Sequence, residues 1–188
     1  MKIILASASL RRKEILEMMG IDFSVVTADT DENCDCKDPA KLVETLSYRK
    51  AKAVAEKLDD DKLVIGSDTV VFVNGEILGK PKDKTDADRM LHLLSGKTHK
   101  VLTGVTLIYK GQICTAHCVT EVTFQQMSES EIEDYISGNE PYDKAGAYAV
   151  QGLAARYISG INGCYWNVVG FPVNLFFNML KDLGLNNI

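Results

Sequence analysis

The sequence predicts a mixed α/β fold in which helices flank a twisted sheet. Short apolar runs typical of strands alternate with helical patterns in the first half of the chain. Two longer strand patterns then follow each other across a turn at Lys110-Gly111, so strand pairing becomes local. The length of 188 residues suits a single domain over residues 1–188, which has room for two lobes.

The first predicted elements are a short strand, a loop of small residues and a helix that stops at Gly20. Ser7 lies in the loop, and its small neighbours let backbone N–H groups approach an anion at the helix N-terminus. Arg11 and Arg12 fall in the first helical turn, where cations oppose the helix dipole. An anion bound between the loop and the arginines would remove this conflict, because arginine pairs with phosphate. The pattern therefore predicts an anion site. The alternative is two solvated arginines on an exposed helix.

A second helix is predicted from Asp38-Pro39 to about Leu58, after a strand near residues 23–27 and an acidic loop. Aspartate caps the helix N-terminus, and proline suits the first helical position. Lys50 lies in the middle of the apolar face of this helix. Its ammonium either extends to the edge of that face or reaches a buried anion. The second alternative makes Lys50 a candidate phosphate ligand.

The third strand is predicted over residues 63–73, and Asp68 interrupts its apolar pattern. A buried carboxylate needs a metal, a cation or a proton. The alternative is an aspartate that caps a turn. Asn74-Gly75 then predicts a hairpin.

The rest of the chain is predicted to continue with three helices and three strands. A helix over residues 85–94 precedes strands at about 100–109 and 112–124, a capping-box helix at Ser128-x-x-Glu131, a strand near 155–158 and a final helix after Phe171-Pro172.

Composition argues against several classes of protein. The formal net charge of −5 and the pI near 5.2 disfavour a nucleic-acid-binding surface and favour a small anionic ligand. Membrane-length apolar runs and a signal-peptide pattern are both missing, so we expect a cytoplasmic location. The five cysteines are expected to be reduced thiols, with a structural zinc site as the alternative.

Carboxylates and cations together suit hydrolysis of a phosphoanhydride. Cations neutralise the phosphates, while a carboxylate holds Mg²⁺ or orients and deprotonates water. Asp68 and Glu32 are the candidate carboxylates, and Lys80 adds positive charge. An alternative uses Asp29 and Asp31, as haloacid-dehalogenase-type phosphatases use their aspartates, although the match to that motif is weak.

A series of motifs runs along essentially the whole chain. They are Leu5-Ala6-Ser7-x-Ser9-x-Arg11-Arg12, Asp31-Glu32, Lys50-Ala51, Gly66-Ser67-Asp68-Thr69-Val70, Gly79-Lys80-Pro81, Leu94-Ser95-Gly96, Thr103-Gly104-Val105, Glu140-Pro141-Tyr142-Asp143-Lys144-Ala145-Gly146-Ala147-Tyr148, Gln151-Gly152 and Asn167-Val168-Val169-Gly170-Phe171-Pro172. In this order they resemble the Maf family of nucleoside triphosphate pyrophosphatases.

The resemblance implies a fold similar to inosine triphosphate pyrophosphatase, with two lobes and a central cleft. It implies cleavage of a nucleoside triphosphate to the monophosphate and pyrophosphate with a divalent metal, for which we expect Mg²⁺, with Mn²⁺ or Co²⁺ as alternatives. Asp68 is implied as the proton acceptor, and Asp68 with Glu32 as the metal site. The residues implied around the triphosphate are Ser7, Arg11, Arg12, Lys50 and Lys80.

One branch of that family prefers dTTP and UTP, and its selectivity positions correspond to Arg11, Thr69 and Gln151. The amide of Gln151 can donate and accept, so it can face the O4 and N3–H edge of thymine or uracil. We therefore predict hydrolysis of dTTP, UTP and modified pyrimidine nucleotides as a nucleotide-pool housekeeping activity. The alternative is a nucleotide-binding regulator of cell division and septum formation. We expect a small-molecule partner and a homodimer, and neither a nucleic-acid nor a membrane partner.

Overall fold

A computed structural model describes residues 1–31 and 33–186. The strands are β1 (Ile3–Leu5), β2 (Phe23–Val25), β3 (Leu63–Val73), β4 (Glu76–Leu78), β5 (Thr98–Tyr109), β6 (Gln112–Phe124) and β7 (Ile158–Asn162). The helices are α1 (Leu10–Met18), α2 (Pro39–Ala55), α3 (Lys84–Leu94), α4 (Glu129–Ile136), α5 (Tyr165–Val169) and α6 (Val173–Asp182). Short 3-10 turns cover Glu140–Asp143, Ala145–Ala147 and Leu153–Tyr157. Within the described ranges, every helix is too short or too polar to cross a membrane.

The strands form one sheet in the order β2-β1-β3-β5-β6-β7, and β4 pairs with β3. Strand β1 runs parallel to both β2 and β3, with Leu5 opposite Val25 and Ile65. The pairs β3–β4 and β6–β7 are antiparallel. Because parallel and antiparallel pairs share one sheet, the predicted mixed α/β class is confirmed.

The chain divides into two compact units. The first comprises Met1–Asp68, Thr103–Cys118 and Gly170–Ile188, and the second comprises Thr69–Leu102 and Val119–Val169. In the first unit, one apolar cluster contains Ile4, Ala6, Ala51, Val54 and Val64. The second unit has its own core, which includes Met90, Leu91, Leu94, Val122, Phe124 and Tyr148.

Helix α1 ends at the glycine that the sequence indicated. Gly20 has a φ of +71°, a conformation that favours glycine. Its N–H donates to the Glu17 carbonyl at 2.9 Å, and the Ile21 N–H donates to the Leu16 carbonyl at 3.1 Å. This pair of bonds is a Schellman motif, which satisfies carbonyls at the helix end.

Other local predictions are confirmed at the level of hydrogen bonds. Asp38 Oδ1 accepts from the Ala40 N–H at 2.9 Å, as expected of an N-cap. Ser128 and Glu131 form a complete capping box at the start of α4. The Asn74-Gly75 turn has φ angles of 50° and 84°, the positive values required by a type I′ hairpin.

The prediction of a strand near residues 155–158 is wrong. Leu153–Tyr157 forms a 3-10 turn, and β7 begins only at Ile158. Ala154 and Tyr157 are buried and three residues apart, which is the repeat of a 3-10 turn rather than of a strand. The short helix α5 was not predicted.

The expectation of five reduced thiols is also wrong in part. Cys34 and Cys36 are paired as a disulfide, with their Cα atoms 5.2 Å apart. Cys114, Cys118 and Cys164 are reduced thiols outside any disulfide, as predicted.

Candidate active site

The loop between β1 and α1 is organised around the hydroxyl of Ser7. Ser7 Oγ accepts a hydrogen bond from the Ser9 N–H at 3.2 Å and another from Arg12 Nη1 at 3.1 Å. Ser9 occupies the N-cap position of α1, but its side chain makes no capping bond. Helices α2, α3 and α4 all have such a cap. The Ser9 side chain therefore takes none of the backbone donors in the first turn of α1, where the sequence predicts an anion site.

Arg12 is buried, with 8% of its surface exposed, and joins three separate segments of the first unit. Nη1 donates to Ser7 Oγ and also to the Ser67 carbonyl at 2.7 Å. Nε donates to the Gly170 carbonyl at 3.0 Å. Because Ser67 immediately precedes Asp68, Arg12 fastens the anion loop to the strand that carries Asp68. Arg12, which the sequence predicts as a phosphate ligand, thus also holds the Ser7 loop next to the backbone that leads into Asp68.

Helix α2 packs against the backbone of β3 at Gly66. A Cβ atom on Gly66 would overlap the Ser47 carbonyl and would lie 2.8 Å from Ala51 Cβ. Residues two apart on a strand share a face, so Asp68 faces α2 as Gly66 does. The missing side chain at Gly66 therefore lets α2 approach closely enough for Lys50 to reach Asp68.

Lys50 and Asp68 form a largely buried ion pair. Lys50 Nζ lies 2.5 Å from Asp68 Oδ1, and the two side chains are 18% and 13% exposed. Of the two alternatives for Lys50, a reach to a buried anion is confirmed, and the anion is Asp68. The pair offsets the desolvation cost of both charges. Asp68 Oδ2 receives no hydrogen bond from residues 1–31 or 33–186, so this oxygen is available to a ligand or to water.

The predicted site residues are distributed over both units. Arg11 is half-buried in the first turn of α1, and Thr69 is half-buried directly after Asp68 in β3. Lys80 and Gln151 are exposed residues of the second unit. Glu32, the other predicted metal ligand, lies outside the described residues. In the first unit, Arg12 links Ser7 to the Ser67 backbone, and Lys50 pairs with Asp68, the next residue in the chain.

The donors around Asp68 suit a cation that arrives with its substrate. In the described part of the chain, His, Cys, Asp and Glu form no cluster of three or more able to hold a metal ion. Magnesium commonly takes only one or two carboxylates, together with waters and substrate phosphate oxygens. The open Oδ2 of Asp68 is a hard oxygen donor of this kind. The described residues therefore offer an open carboxylate oxygen and not a preformed cage of protein ligands.

The acidic loop after β2 does not resemble a phosphatase site. Asp31 Oδ1 accepts from the Asn33 N–H at 2.9 Å. Arg49 Nη1 donates to the Asp31 and Asn33 carbonyls at 3.0 and 2.8 Å. Strand β2 ends at Val25, so Asp29 does not follow a buried strand directly. The geometry gives these aspartates a role in an exposed turn and does not support the phosphatase alternative.

In the second unit, Lys80 follows a glycine that is tied to the Gly- and Ala-rich segment. The Gly146 N–H donates to the Gly79 carbonyl at 3.0 Å. Gly146 has a φ of +70°, and a Cβ atom there would lie 2.9 Å from Val71 Cγ2. The positive φ and the close contact with Val71 both favour glycine at position 146. A glycine there can approach the backbone that carries Lys80.

Sequence reasoning missed Glu140, whose carboxylate lies against the segment that carries Gln151. It accepts hydrogen bonds from the Tyr135 hydroxyl at 2.7 Å and from the Leu153 N–H at 2.9 Å. A Cβ atom on Gly152 would overlap this carboxylate. The only sequence signal was its place in the Glu140-Pro141 motif, which gave no indication of its partners.

Comparison with solved structures supports the fold alone. A Ham1 protein from Staphylococcus aureus superposes with a TM-score of 0.56 at 14% identity, covering 97% of this chain and 100% of its own. A HAM1 protein from Coxiella burnetii gives a TM-score of 0.54 at 12% identity, covering 98% of both chains. The predicted α/β architecture is thus shared with proteins of very different sequence.

Comparison of sequences identifies the family. A dTTP/UTP pyrophosphatase of Bacillus anthracis is 44% identical over 186 residues, which cover 98% of this chain and 97% of the relative. Proteins of the same name from Alkaliphilus metalliredigens and Clostridium perfringens are 49% and 47% identical; they cover 92% and 97% of this chain, and this chain covers 91% and 97% of them. The family model for Maf-like proteins matches residues 2–183. The chain therefore belongs to the Maf-like protein family.

Proposed function

We propose that this protein hydrolyses dTTP and UTP to the nucleoside monophosphate and pyrophosphate. One observation carries the proposal: Asp68 is held by Lys50, directly after the residue that Arg12 ties to the Ser7 loop. A carboxylate with an open oxygen thus lies beside a set of cations and anion-binding donors. Relatives named dTTP/UTP pyrophosphatase, at 44–49% identity, support this choice of substrate.

We assign phosphate binding and proton acceptance to different residues of the first unit. Ser7, Arg11, Arg12 and Lys50 are proposed to bind phosphate oxygens. The Asp68 carboxylate accepts the proton of an attacking water. The water oxygen bonds to one phosphorus of the α–β bridge, and the bond from that phosphorus to the bridging oxygen breaks. The bridging oxygen leaves with the other phosphorus, so the products are the nucleoside monophosphate and pyrophosphate whichever phosphorus is attacked. Lys80 is proposed to add positive charge to the triphosphate.

Asp68 and Glu32 are proposed to hold a divalent cation, with Mg²⁺ first and Mn²⁺ or Co²⁺ as alternatives. When bound, such a cation neutralises negative charge on the phosphate oxygens. We expect a metal-depleted preparation to lose turnover and to regain it most fully with Mg²⁺. Restoration by Mn²⁺ or Co²⁺ alone would reassign the metal.

Base selection is assigned to Arg11, Thr69 and Gln151. The Gln151 amide is exposed and carries both a donor and an acceptor, as recognition of the O4 and N3–H edge of a pyrimidine requires. Modified pyrimidine triphosphates that keep this edge are proposed as substrates in a housekeeping role.

A product assay over a panel of nucleoside triphosphates tests the proposal. With Mg²⁺, we expect pyrophosphate from dTTP and UTP and much slower turnover of purine triphosphates. Release of inorganic phosphate would instead indicate a phosphatase. Tight nucleotide binding without turnover would favour the alternative role of a regulator of cell division and septum formation.

We also propose a single functional domain, a homodimer and a cytoplasmic location, all expected from the sequence. Light scattering coupled to size-exclusion chromatography checks the dimer, since a dimer should elute with twice the 20.7 kDa chain mass. Cell fractionation checks the location.

A further inference from the structure

We propose that Glu140 is a positioning residue that fixes the turn carrying Gln151 and thereby sets the preference among nucleotide bases. This inference rests on the proposed role of Gln151 in reading the base. All the contacts that support it lie within the second unit.

The carboxylate of Glu140 binds the backbone that follows Gln151. Oε2 accepts from the Leu153 N–H at 2.9 Å, and Oε1 accepts from the Ala154 N–H at 3.4 Å. These are the first two residues after Gly152, where a 3-10 turn begins with unpaired donors. The N-cap residue of this 3-10 turn provides no side-chain cap, and Glu140, which lies earlier in the chain, caps the turn instead.

The same carboxylate covers the backbone of Gly152. A Cβ atom built there would overlap it, so glycine is required for this close approach. The Gly152 N–H donates to the Ala149 carbonyl at 3.2 Å, which closes the turn around Val150 and Gln151. A shift of Glu140 would thus move the turn directly beside Gln151.

Glu140 is itself anchored in the core of the second unit. The hydroxyl of Tyr135, a residue only 5% exposed, donates to Oε1 at 2.7 Å. Burial, and next the hydrogen bond to Glu140, raise the pKa of Tyr135, so the phenol stays protonated and donates at neutral pH. Lys144 Nζ donates to the Glu140 carbonyl at 2.8 Å and restrains the backbone of Glu140 as well.

This anchoring explains how an exposed glutamine can select a base. An amide on a loose turn reorients to suit either a pyrimidine or a purine edge, whereas a held turn presents the donor and acceptor in one arrangement. Glu140 contacts the backbone on the C-terminal side of Gln151 and acts on selectivity through that residue.

Two substitutions disturb the contact from opposite sides. Glu140→Gln replaces one acceptor oxygen with a donor, while Gly152→Ala pushes a methyl group against the carboxylate. The backbone of Gly152, with φ −124° and ψ −157°, lies outside the left-handed region, so alanine acts there through the contact. Glu131→Gln is the matched control, because the Glu131 carboxylate also binds local donors, at the Ser128 N–H and hydroxyl, but lies at the start of α4.

The measurement is the ratio of kcat/KM for UTP to kcat/KM for GTP, with the melting temperature recorded for each variant. We expect Glu140→Gln and Gly152→Ala to lower the ratio about tenfold, mainly by slowing UTP turnover, as the loss of one hydrogen-bond arrangement implies. The Glu131→Gln ratio should stay within about twofold of wild type, since this change leaves the Gln151 turn intact. Adding Gln151→Ala to Glu140→Gln should give the same ratio as Gln151→Ala alone.

Two results separate the inference from the proposed function. An unchanged ratio in Gln151→Ala would remove that residue from base reading and overturn both. A changed ratio in Gln151→Ala, with unchanged ratios in folded Glu140→Gln and Gly152→Ala, would overturn the inference alone. Fully multiplicative effects in the double variant would also overturn it, since Glu140 would then act independently of Gln151. Should Glu140→Gln fail to fold, Gly152→Ala decides the outcome.

Discussion

Lys50 Nζ lies 2.5 Å from Asp68 Oδ1, and neither side chain is more than 18% exposed. Helix α2 supplies the cation and strand β3 supplies the anion, so each charge is tolerated only because the other element is in place. The candidate proton acceptor and the packing of the first unit are therefore tied to one interaction.

Replacement of Lys50 by methionine should lower the free energy of unfolding by about 1–3 kcal/mol, because it leaves a largely buried carboxylate without its cation. Urea denaturation measures the loss. The control is Lys52→Met on the same helix, where the lysine is 52% exposed and lies 3.8 Å from Glu56. That change should cost less than about 0.5 kcal/mol. Equal losses in the two variants would contradict a stabilising pair at Lys50.

Replacement of Asp68 by asparagine should reduce kcat for dTTP by roughly 10²–10⁴-fold, because the amide cannot accept the proton of the attacking water. Initial rates of pyrophosphate release measure this effect. Asp31→Asn should retain activity within about twofold, since an exposed turn aspartate takes no part in the proposed reaction. If the two variants lost activity equally, the acidic loop would have to be reconsidered as the reaction centre.

Replacement of Gly66 by alanine should destabilise the protein by about 2 kcal/mol or more, because the new methyl group meets the backbone of α2. We also expect a fall in kcat, since α2 carries Lys50. Thermal unfolding and pyrophosphate release measure the two effects. Gly160→Ala is the control, because a Cβ atom there has no neighbour within 4 Å. A Gly66→Ala variant as stable as wild type would show that α2 has room to move.

Acid should destabilise the second unit through His99. Burial lowers the pKa of His99 from its ordinary value of 6.5 to about 4. Above pH 6.5 the imidazole is neutral in both the folded and unfolded states and contributes nothing to the pH dependence. Between these two pKa values the unfolded chain takes up a proton that the folded chain excludes, so stability falls as pH falls, by a total of about 3 kcal/mol.

The variant His99→Gln keeps a partner for the Tyr148 hydroxyl, which lies 2.8 Å from His99 Nε2, but removes the titration. Chemical denaturation at pH 7, 6 and 5 should show a shallower loss of stability for this variant than for wild type. His92 provides a contrast of opposite sign, because the Asp88 carbonyl and then Glu129 raise its pKa. His92→Gln should therefore slightly weaken the protein at acidic pH. Parallel curves for wild type and His99→Gln would contradict the role of His99.

Replacement of Gln151 by glutamate should weaken dTTP and UTP relative to a purine triphosphate. Loss of the amide donor leaves a pyrimidine acceptor unmatched, which costs about 1–3 kcal/mol, or roughly five- to more than a hundredfold in relative kcat/KM. The same change at the exposed Gln112 should leave the ratio unaltered. An unaltered ratio for Gln151→Glu would instead place base selection elsewhere.

Local signals in the sequence predicted most of the fold. Caps and turn residues such as Asp38, Gly20 and Asn74-Gly75 act within a few residues, so they can be recognised without knowledge of the tertiary structure. The strand near residues 155–158 was mispredicted because a short apolar run suits a strand and a 3-10 turn equally well.

The candidate site was predictable in its residue types but not in its connections. The position of Lys50 on the apolar face of α2 predicted a buried anion as one alternative, and only the tertiary structure identified it as Asp68. The partners of Arg12 and Glu140 include backbone groups, which every residue possesses, so no sequence pattern distinguishes them.

The hydrogen bonds of Arg12 bear on the order in which the molecule can be completed during synthesis. Its acceptors lie 5 positions before it, at Ser7, and 55 and 158 positions after it, at Ser67 and Gly170. The bond from Arg12 Nε to the Gly170 carbonyl can therefore form only after residue 170 has been synthesised. Truncation before Gly170 should abolish activity although every proposed ligand of the nucleotide is still present. The reason is that Arg12, which holds the Ser7 loop, would lose the carbonyl that its Nε binds.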